Sequence, residues 1–213
     1  MKIYEANGNR FILGSEEIDV VQMCEKYACD GYLKIFSHRM SIYNADGSEA
    51  LLCVNGLHCF AHYLYDESEK YDVFALVVQN EIYKCEILQK EPFISVVTVK
   101  IPNIYRNFVD VGNEHMILLD EDMENAAQLC KRFDCNISYV RILSQSCIEV
   151  RTYERGVGFT LSCGSGNIAS SYYCYVNGLC DSQVNILNEG GVCFVDMSDE
   201  IEMKVMSRFV QEI

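Results

Sequence analysis

Short runs in which apolar residues alternate with polar ones recur along most of the chain, and they predict a protein built mainly of strands with a few helices. Residues 2–4 read as a strand running into a Gly8-Asn9 turn, with residues 11–13 as its continuation. Residues 16–27 have helical spacing through Ile18, Val21 and Met23. Residues 32–36 and 40–43 are predicted strands flanking His38-Arg39. A helix over residues 57–65 follows, ending by Glu67-Ser68, and then β-branched strands at 73–78, 82–88 and 94–99. The pattern then restarts. A strand near Val109 enters a Gly112-Asn113 turn and another covers 116–119. Residues 123–133 form a helix with Ala126, Ala127 and Cys130 on one face, and strands follow at 137–142 and 148–153. A helix over 167–175 precedes strands at 184–187, 192–195 and 201–205, around Gly190-Gly191.

This restart is a repeat. At a common offset of 110 residues Tyr43 pairs with Tyr153, Cys53 with Cys163, Gly56 with Gly166, Tyr63 with Tyr173 and Tyr65 with Tyr175. The Gly8-Asn9 and Gly112-Asn113 elements lie 104 apart, ahead of each cysteine. A period near half the chain length predicts two similar lobes, each contributing one thiol. The expected division is an N-terminal lobe over 1–103, to which a last strand at 206–213 returns, and a C-terminal lobe over 104–205.

Each thiol follows a polar turn and precedes a helix. Unpaired N–H groups and the positive dipole end at a helix start are expected to lower the thiol pKa from about 8.5, which makes Cys53 and Cys163 candidate bases or nucleophiles. The plainer alternative is a pair of buried structural cysteines.

Composition narrows the partners. The 213 residues carry 17 Lys and Arg against 31 Asp and Glu, a formal charge of −14, which argues against nucleic acid and anionic membrane surfaces. No stretch approaches the roughly 18 to 20 apolar residues needed to span a bilayer. The first ten residues lack the apolar run of a signal peptide, so a cytoplasmic location is expected, with most of the twelve cysteines acting as small buried hydrophobes. No Cys-x-x-Cys occurs. The spacings Cys24/Cys29, Cys53/Cys59, Cys130/Cys135 and Cys174/Cys180 fit no structural zinc motif, and no metal is expected.

Two activated thiols facing one small molecule suit inversion of a carbon acid. One group removes the α-hydrogen of an amino acid, the other protonates the opposite face, and no pyridoxal phosphate or metal is needed. Helix N-termini aimed at the substrate carboxylate would stabilise the carbanion.

Three stretches carry a resemblance: Ile42-Tyr43-Asn44-Ala45-Asp46-Gly47-Ser48-Glu49, Gly112-Asn113-Glu114-His115, and Tyr153-Glu154-Arg155-Gly156-Val157-Gly158 followed by Cys163-Gly164-Ser165-Gly166. In this order, and essentially end to end, the chain resembles the diaminopimelate epimerase family of cofactor-independent, two-cysteine epimerases. The resemblance implies an α+β fold of two pseudo-symmetric lobes, each a β-barrel-like sheet around a central helix. It implies Cys53 and Cys163 as the acid/base pair, with His115 and Glu154 helping to set which thiol is ionised. It also implies that Asn9, Asn44, Asn113, Asn136 and Arg155 hold the distal end of a small amino-acid substrate. The amides of Val54-Asn55, closed by Gly56, and of Gly164-Ser165 would cradle the reacting carboxylate. A homodimer is a candidate assembly.

The chain also departs from the family pattern. It is short between Cys53 and Gly112. Val54 replaces a glycine, Glu114 a proline, Ala28-Cys29 a Gly-rich turn, Gly31 a frequent glutamine and Phe159 a glutamate. None removes a base, and together they bear on substrate identity. Diaminopimelate, in lysine and peptidoglycan precursor biosynthesis, is therefore the first expectation. The alternatives are racemisation of another amino acid such as histidine, or a non-catalytic binding protein on the same scaffold.

Overall fold

The computed structural model describes residues 1–67 and 71–213. The chain forms two compact units, Met1–Thr98 with Lys204–Ile213, and Val99–Met203. Ser68, where the second predicted helix was expected to end, lies outside the described residues.

In unit 1, β1 (Lys2–Ala6) and β2 (Asn9–Gly14) form a hairpin across Asn7-Gly8, both residues having positive φ. The helix α1 (Val20–Tyr27) carries the chain back so that β3 (Gly31–Phe36) lies parallel to β2. An antiparallel step leads to β4 (Arg39–Asn44) and the short β5 (Glu49–Ala50). The helix α2 (Val54–Glu67) is a second crossover, after which β6 (Val73–Val78) runs parallel to β4. Antiparallel β7 (Glu81–Lys90) and β8 (Phe93–Val99) follow.

Unit 2 repeats the order: β9 (Asn103–Tyr105), β10 (Phe108–Asp110) and β11 (Glu114–Leu119) are antiparallel neighbours. The helix α3 (Ala126–Phe133) crosses to β12 (Asn136–Ser144), parallel to β11. Then come β13 (Cys147–Glu154), β14 (Gly158–Phe159) and the crossover α4 (Gly164–Val176) to β15 (Gln183–Asn188), parallel to β13. Next is β16 (Gly191–Asp196), antiparallel to β15, and last β17 (Ile201–Glu212), whose later residues pair with β1 in unit 1. Parallel neighbours need a long crossover. Each unit has two, and each time a helix supplies it. The fold is α+β.

The 110-residue offset extends to strand pairing. Tyr43 opposes Glu49 as Tyr153 opposes Phe159, and Leu76 opposes Tyr83 as Ile186 opposes Cys193. A surface helix buries one stripe. Burial instead runs round α2 from Val54 to His62, and round α4 from Gly164 to Ser171, so each is the core around which its unit's strands fold. The other helix of each unit packs outside. There Cys24 and Cys29 join Ile3, Ile12 and Tyr32, and Cys130 and Cys135 join Met116, Ile137 and Tyr139. Each of these thiol pairs brackets a left-handed C-cap, Ala28 in one unit and Asp134 in the other, both at φ 52. The matched Cys spacing is thus a packing feature of the repeat.

Four helix starts differ from the sequence expectation. α1 begins at Val20 rather than 16 because the Asp19 side chain caps it, accepting from the Gln22 amide. Residues 123–133 split into a 3-10 turn (Met123–Asn125), capped by Asp122, and α3. α2 and α4 begin directly after Cys53 and Cys163, not three residues later. Among the described residues no helix is long and apolar enough to cross a membrane.

Candidate functional site

In unit 1, Cys53 precedes α2 and is half-buried. The Gly56 N–H points at its Sγ at 3.3 Å, and the Leu57 N–H donates to the Cys53 carbonyl at 3.0 Å. A Cβ on Gly56 would meet Cys53 Cβ and Sγ and the Leu33 side chain at 3.3 Å, so glycine lets the first turn close over the sulfur. Val54 is buried within that turn. The Asn55 amide group donates to Asn9 Oδ1 at 2.6 Å, tying the helix start to the β1–β2 hairpin. Asn44, at the end of β4, donates to Ser48 Oγ at 3.0 Å. Gly31 has a structural reason: a Cβ there would lie 2.4 Å from the Tyr43 carbonyl oxygen, which leaves no room for the glutamine frequent in the family.

In unit 2, Cys163 is itself the N-cap of α4, in extended conformation, and is 5% exposed. The Asn167 N–H donates to its carbonyl at 2.8 Å, repeating the Leu57 contact of unit 1. Below the first turn lies a buried polar cluster. Ser165 Oγ sits 3.4 Å from Cys163 Sγ and 3.0 Å from His115 Nε2, and His115 Nδ1 is 3.0 Å from Ser138 Oγ. Ser138 Oγ is in turn 3.1 Å from Thr152 Oγ1. Gly166 makes the cluster possible, because a Cβ there would come 2.5 Å from Thr152 Oγ1 and 3.0 Å from Ser138 Oγ.

The expected lowering of the thiol pKa is overturned at Cys163. Burial pushes it well above the ordinary value, and the nearby Glu154 carboxylate acts in the same sense. The Gly166 N–H pulls the other way, as does the Ser165 hydroxyl where it donates to the sulfur rather than accepting from it, and neither prevails. The thiol therefore keeps its proton. Burial also pushes His115 down to about 3, so its imidazole is neutral.

Further out, Glu154 ends β13 and accepts from Thr160 Oγ1 at 2.6 Å. Asn136 receives the Arg155 backbone N–H at 2.9 Å and turns its amino group to His115 Nε2 at 3.3 Å. Asn113 lies in the turn into β11, where its carbonyl accepts from Val111 N–H at 3.3 Å. The Arg155 guanidinium is exposed and engaged by Asp134, at 3.1 Å to the carboxylate and 2.8 Å to the carbonyl.

No family model matches the chain. It is 28% identical to the diaminopimelate epimerase of Caldanaerobacter subterraneus subsp. tengcongensis, over 91% of this chain and 90% of that one. It is 27% identical to the diaminopimelate epimerase of Campylobacter jejuni subsp. doylei, over 90% and 88%. The chain is a relative of the diaminopimelate epimerases.

Solved structures show the same fold at low identity. A phenazine biosynthesis protein of the PhzF family from Bacillus anthracis superposes with a TM-score of 0.72 at 13% identity, over 100% of this chain and 97% of that one. A probable proline racemase from Agrobacterium radiobacter gives 0.66 at 9%, over 100% and 92%.

Within this relative of the epimerases, unit 2 brings together Cys163, Ser165, His115, Asn136 and Glu154, and unit 1 joins Asn55 to Asn9 near Cys53. Asn44 and Arg155 bond to neighbours of their own, Ser48 and Asp134. Sequence reasoning missed Ser138 and Thr152. The signal was available: both place a hydroxyl on the buried face of strands whose other buried positions are apolar, and they oppose each other across β12 and β13. A cavity of about 320 Å³ in unit 2, lined by Asp120, Tyr139, Arg141, Glu149 and Arg151 among others, contains none of the predicted site residues.

Proposed function

We propose that the protein is an isomerase that inverts the α-carbon of an amino acid with Cys53 and Cys163 as its acid/base pair and without a cofactor. The thiolate takes the α-hydrogen as a proton, leaving its electron pair on the α-carbon and delocalised into the carboxylate. The other thiol gives a proton to the opposite face, and the two sulfurs end with their protonation exchanged. The observation that carries this reading is the duplicated thiol, each placed directly before the first turn of a buried helix. The Gly56 N–H points at the Cys53 sulfur in unit 1, and the Gly166 N–H favours the Cys163 thiolate in unit 2. First-turn amides at Val54-Asn55 and Gly164-Ser165 sit at positive dipole ends, suited to the carboxylate of the carbanion, where one such donor contributes about 2.7 to 4 kcal/mol. The different settings of the two thiols agree with a reaction that needs one protonated and one ionised.

Diaminopimelate is the preferred substrate, as the named substrate of the relatives and one whose distal end Asn9, Asn44, Asn113, Asn136 and Arg155 suit. The engagement of Arg155 by Asp134 favours a second reading, a racemase of an amino acid with no second carboxylate, such as histidine. Exchange of the α-hydrogen in heavy water, with purified protein and no added cofactor, tests both. Exchange of diaminopimelate alone supports the first, exchange of a single amino acid alone the second, and none across the panel leaves a binding protein.

A further inference from the structure

The amide of Asn136 has only one orientation compatible with its neighbours. The Arg155 backbone N–H can only donate, so the atom 2.9 Å from it is the carbonyl oxygen of the Asn136 side chain, and the amino group faces His115 Nε2 at 3.3 Å. An amide nitrogen has hydrogens and no acceptor lone pair, so Nε2 must present a lone pair to it. The neutral ring then carries its hydrogen on Nδ1, which donates to Ser138 Oγ at 3.0 Å. Ser138 passes its own hydrogen to Thr152 Oγ1 at 3.1 Å. On the other side of the ring, Ser165 lies 3.0 Å from the same Nε2 and donates to it, which leaves the Ser165 oxygen to accept the S–H of Cys163 at 3.4 Å. From Cys163 through Ser165, His115 and Ser138 to Thr152 the series is buried, with Ser138 and His115 at 0% exposure, so water does not compete for these bonds.

We propose that Ser138 and Thr152 are positioning residues that act through His115, forming with it and Ser165 a one-directional hydrogen-bond chain that keeps the proton on Cys163. Glu154 is the charged group facing that sulfur, and its carboxylate works in the same direction. Cys163 is thereby the proton donor of the resting protein. Cys53, half-buried and receiving the Gly56 N–H, is the partner that starts as base. This consequence for turnover rests on the two-thiol reading, whereas the His115 tautomer does not.

Nitrogen-15 NMR of the full-length protein without substrate reads the tautomer, with the His115 signals assigned by their loss in His115→Gln. The expected form is neutral with hydrogen on Nδ1; hydrogen on Nε2, or an imidazolium at neutral pH, overturns the chain. Ser138→Ala removes the acceptor for Nδ1–H. With the Nδ1 hydrogen left without an acceptor, only the Asn136 amino group, at the long distance of 3.3 Å, still opposes hydrogen on Nε2. The tautomer should shift toward Nε2–H, turning that amino group aside and freeing the Ser165 hydroxyl to donate to sulfur. The pH midpoint of Cys163 alkylation, followed by mass spectrometry of its peptide, should then fall by about one unit, the size of one hydrogen bond gained by a thiolate. An unchanged tautomer and midpoint in folded Ser138→Ala overturns the proposal. Should that variant not fold, the comparison of Thr152→Val, expected to lower the midpoint, with Thr152→Ser, expected to keep it, decides; equal midpoints overturn it. An Nδ1–H tautomer in protein that exchanges no amino acid upholds the chain and removes the two-thiol reading.

Discussion

The two thiol-bearing helix starts share one scaffold and differ in what lies beneath them. In unit 1, Leu33 opposes Ile42 under Gly56, with Phe11 on the neighbouring strand. In unit 2 the matching places hold Ser138 opposite Thr152 under Gly166, with His115 on the neighbouring strand. Further along, Leu57 and Val78 of unit 1 correspond to Asn167 and Asn188, whose side chains bond at 2.8 Å. One floor is apolar and one is a hydrogen-bonded network, while strand order, crossovers and helix starts are common to both. A duplicated backbone thus sets where each sulfur lies, and a handful of side chains sets what that sulfur does. An apolar floor fixes no proton. A satisfied buried network can.

The largest expected effect tests whether both halves are needed. Cys53→Ala and Cys163→Ala should each lower the rate of inversion by about 10²- to 10⁴-fold, the usual contribution of a positioned acid or base. Full turnover in either single variant refutes the paired assignment. The next test concerns space rather than chemistry. Gly166→Ala drives a Cβ against short, bonded hydroxyls and should destabilise by about 1–3 kcal/mol in urea unfolding. Gly56→Ala meets its closest neighbours at 3.3 Å and gains helix propensity of about 1 kcal/mol, so it should be near neutral. Equal costs would mean that the two floors are equally tight.

The smallest effect is in the pH dependence of stability. Burial holds His115 at about 3, well below the unfolded value near 6.5, and holds His58 at about 3 in unit 1. As pH falls below about 6.5 the unfolded chain takes up protons that the native imidazoles refuse. The stability they contribute is therefore complete above that pH and is lost progressively toward pH 3. His115→Phe, which places the unit 1 residue type in unit 2, should flatten part of this decline in unfolding measured between pH 7.5 and 5. An identical slope would show that His115 is not held neutral.

Much of this architecture is legible along the chain. Short alternating runs announce the strands, and the Gly-Asn and Cys elements recur at nearly constant offsets because each half builds the same crossovers. Helix starts were less legible. Periodicity marks the buried stripe of a helix, whereas a cap such as Asp19 decides where the first turn begins. Within the site, Cys163, His115, Asn136 and Ser165 stand out as chemistry-bearing types beside glycine-rich turns. Ser138 and Thr152 do not, since an inward hydroxyl on a strand looks like any small residue until its partners are known.

By itself the sequence determined the duplication, the α+β character, the two thiols and the kinship with epimerases, because these follow from local patterning and from runs of adjacent residues. Only the tertiary structure decided the proton on Cys163. A helix dipole, which is local, argues for a lowered thiol pKa; burial and Glu154 argue for a raised one, and they prevail. Desolvation is a property of the packed surroundings, and no single stretch of chain carries it.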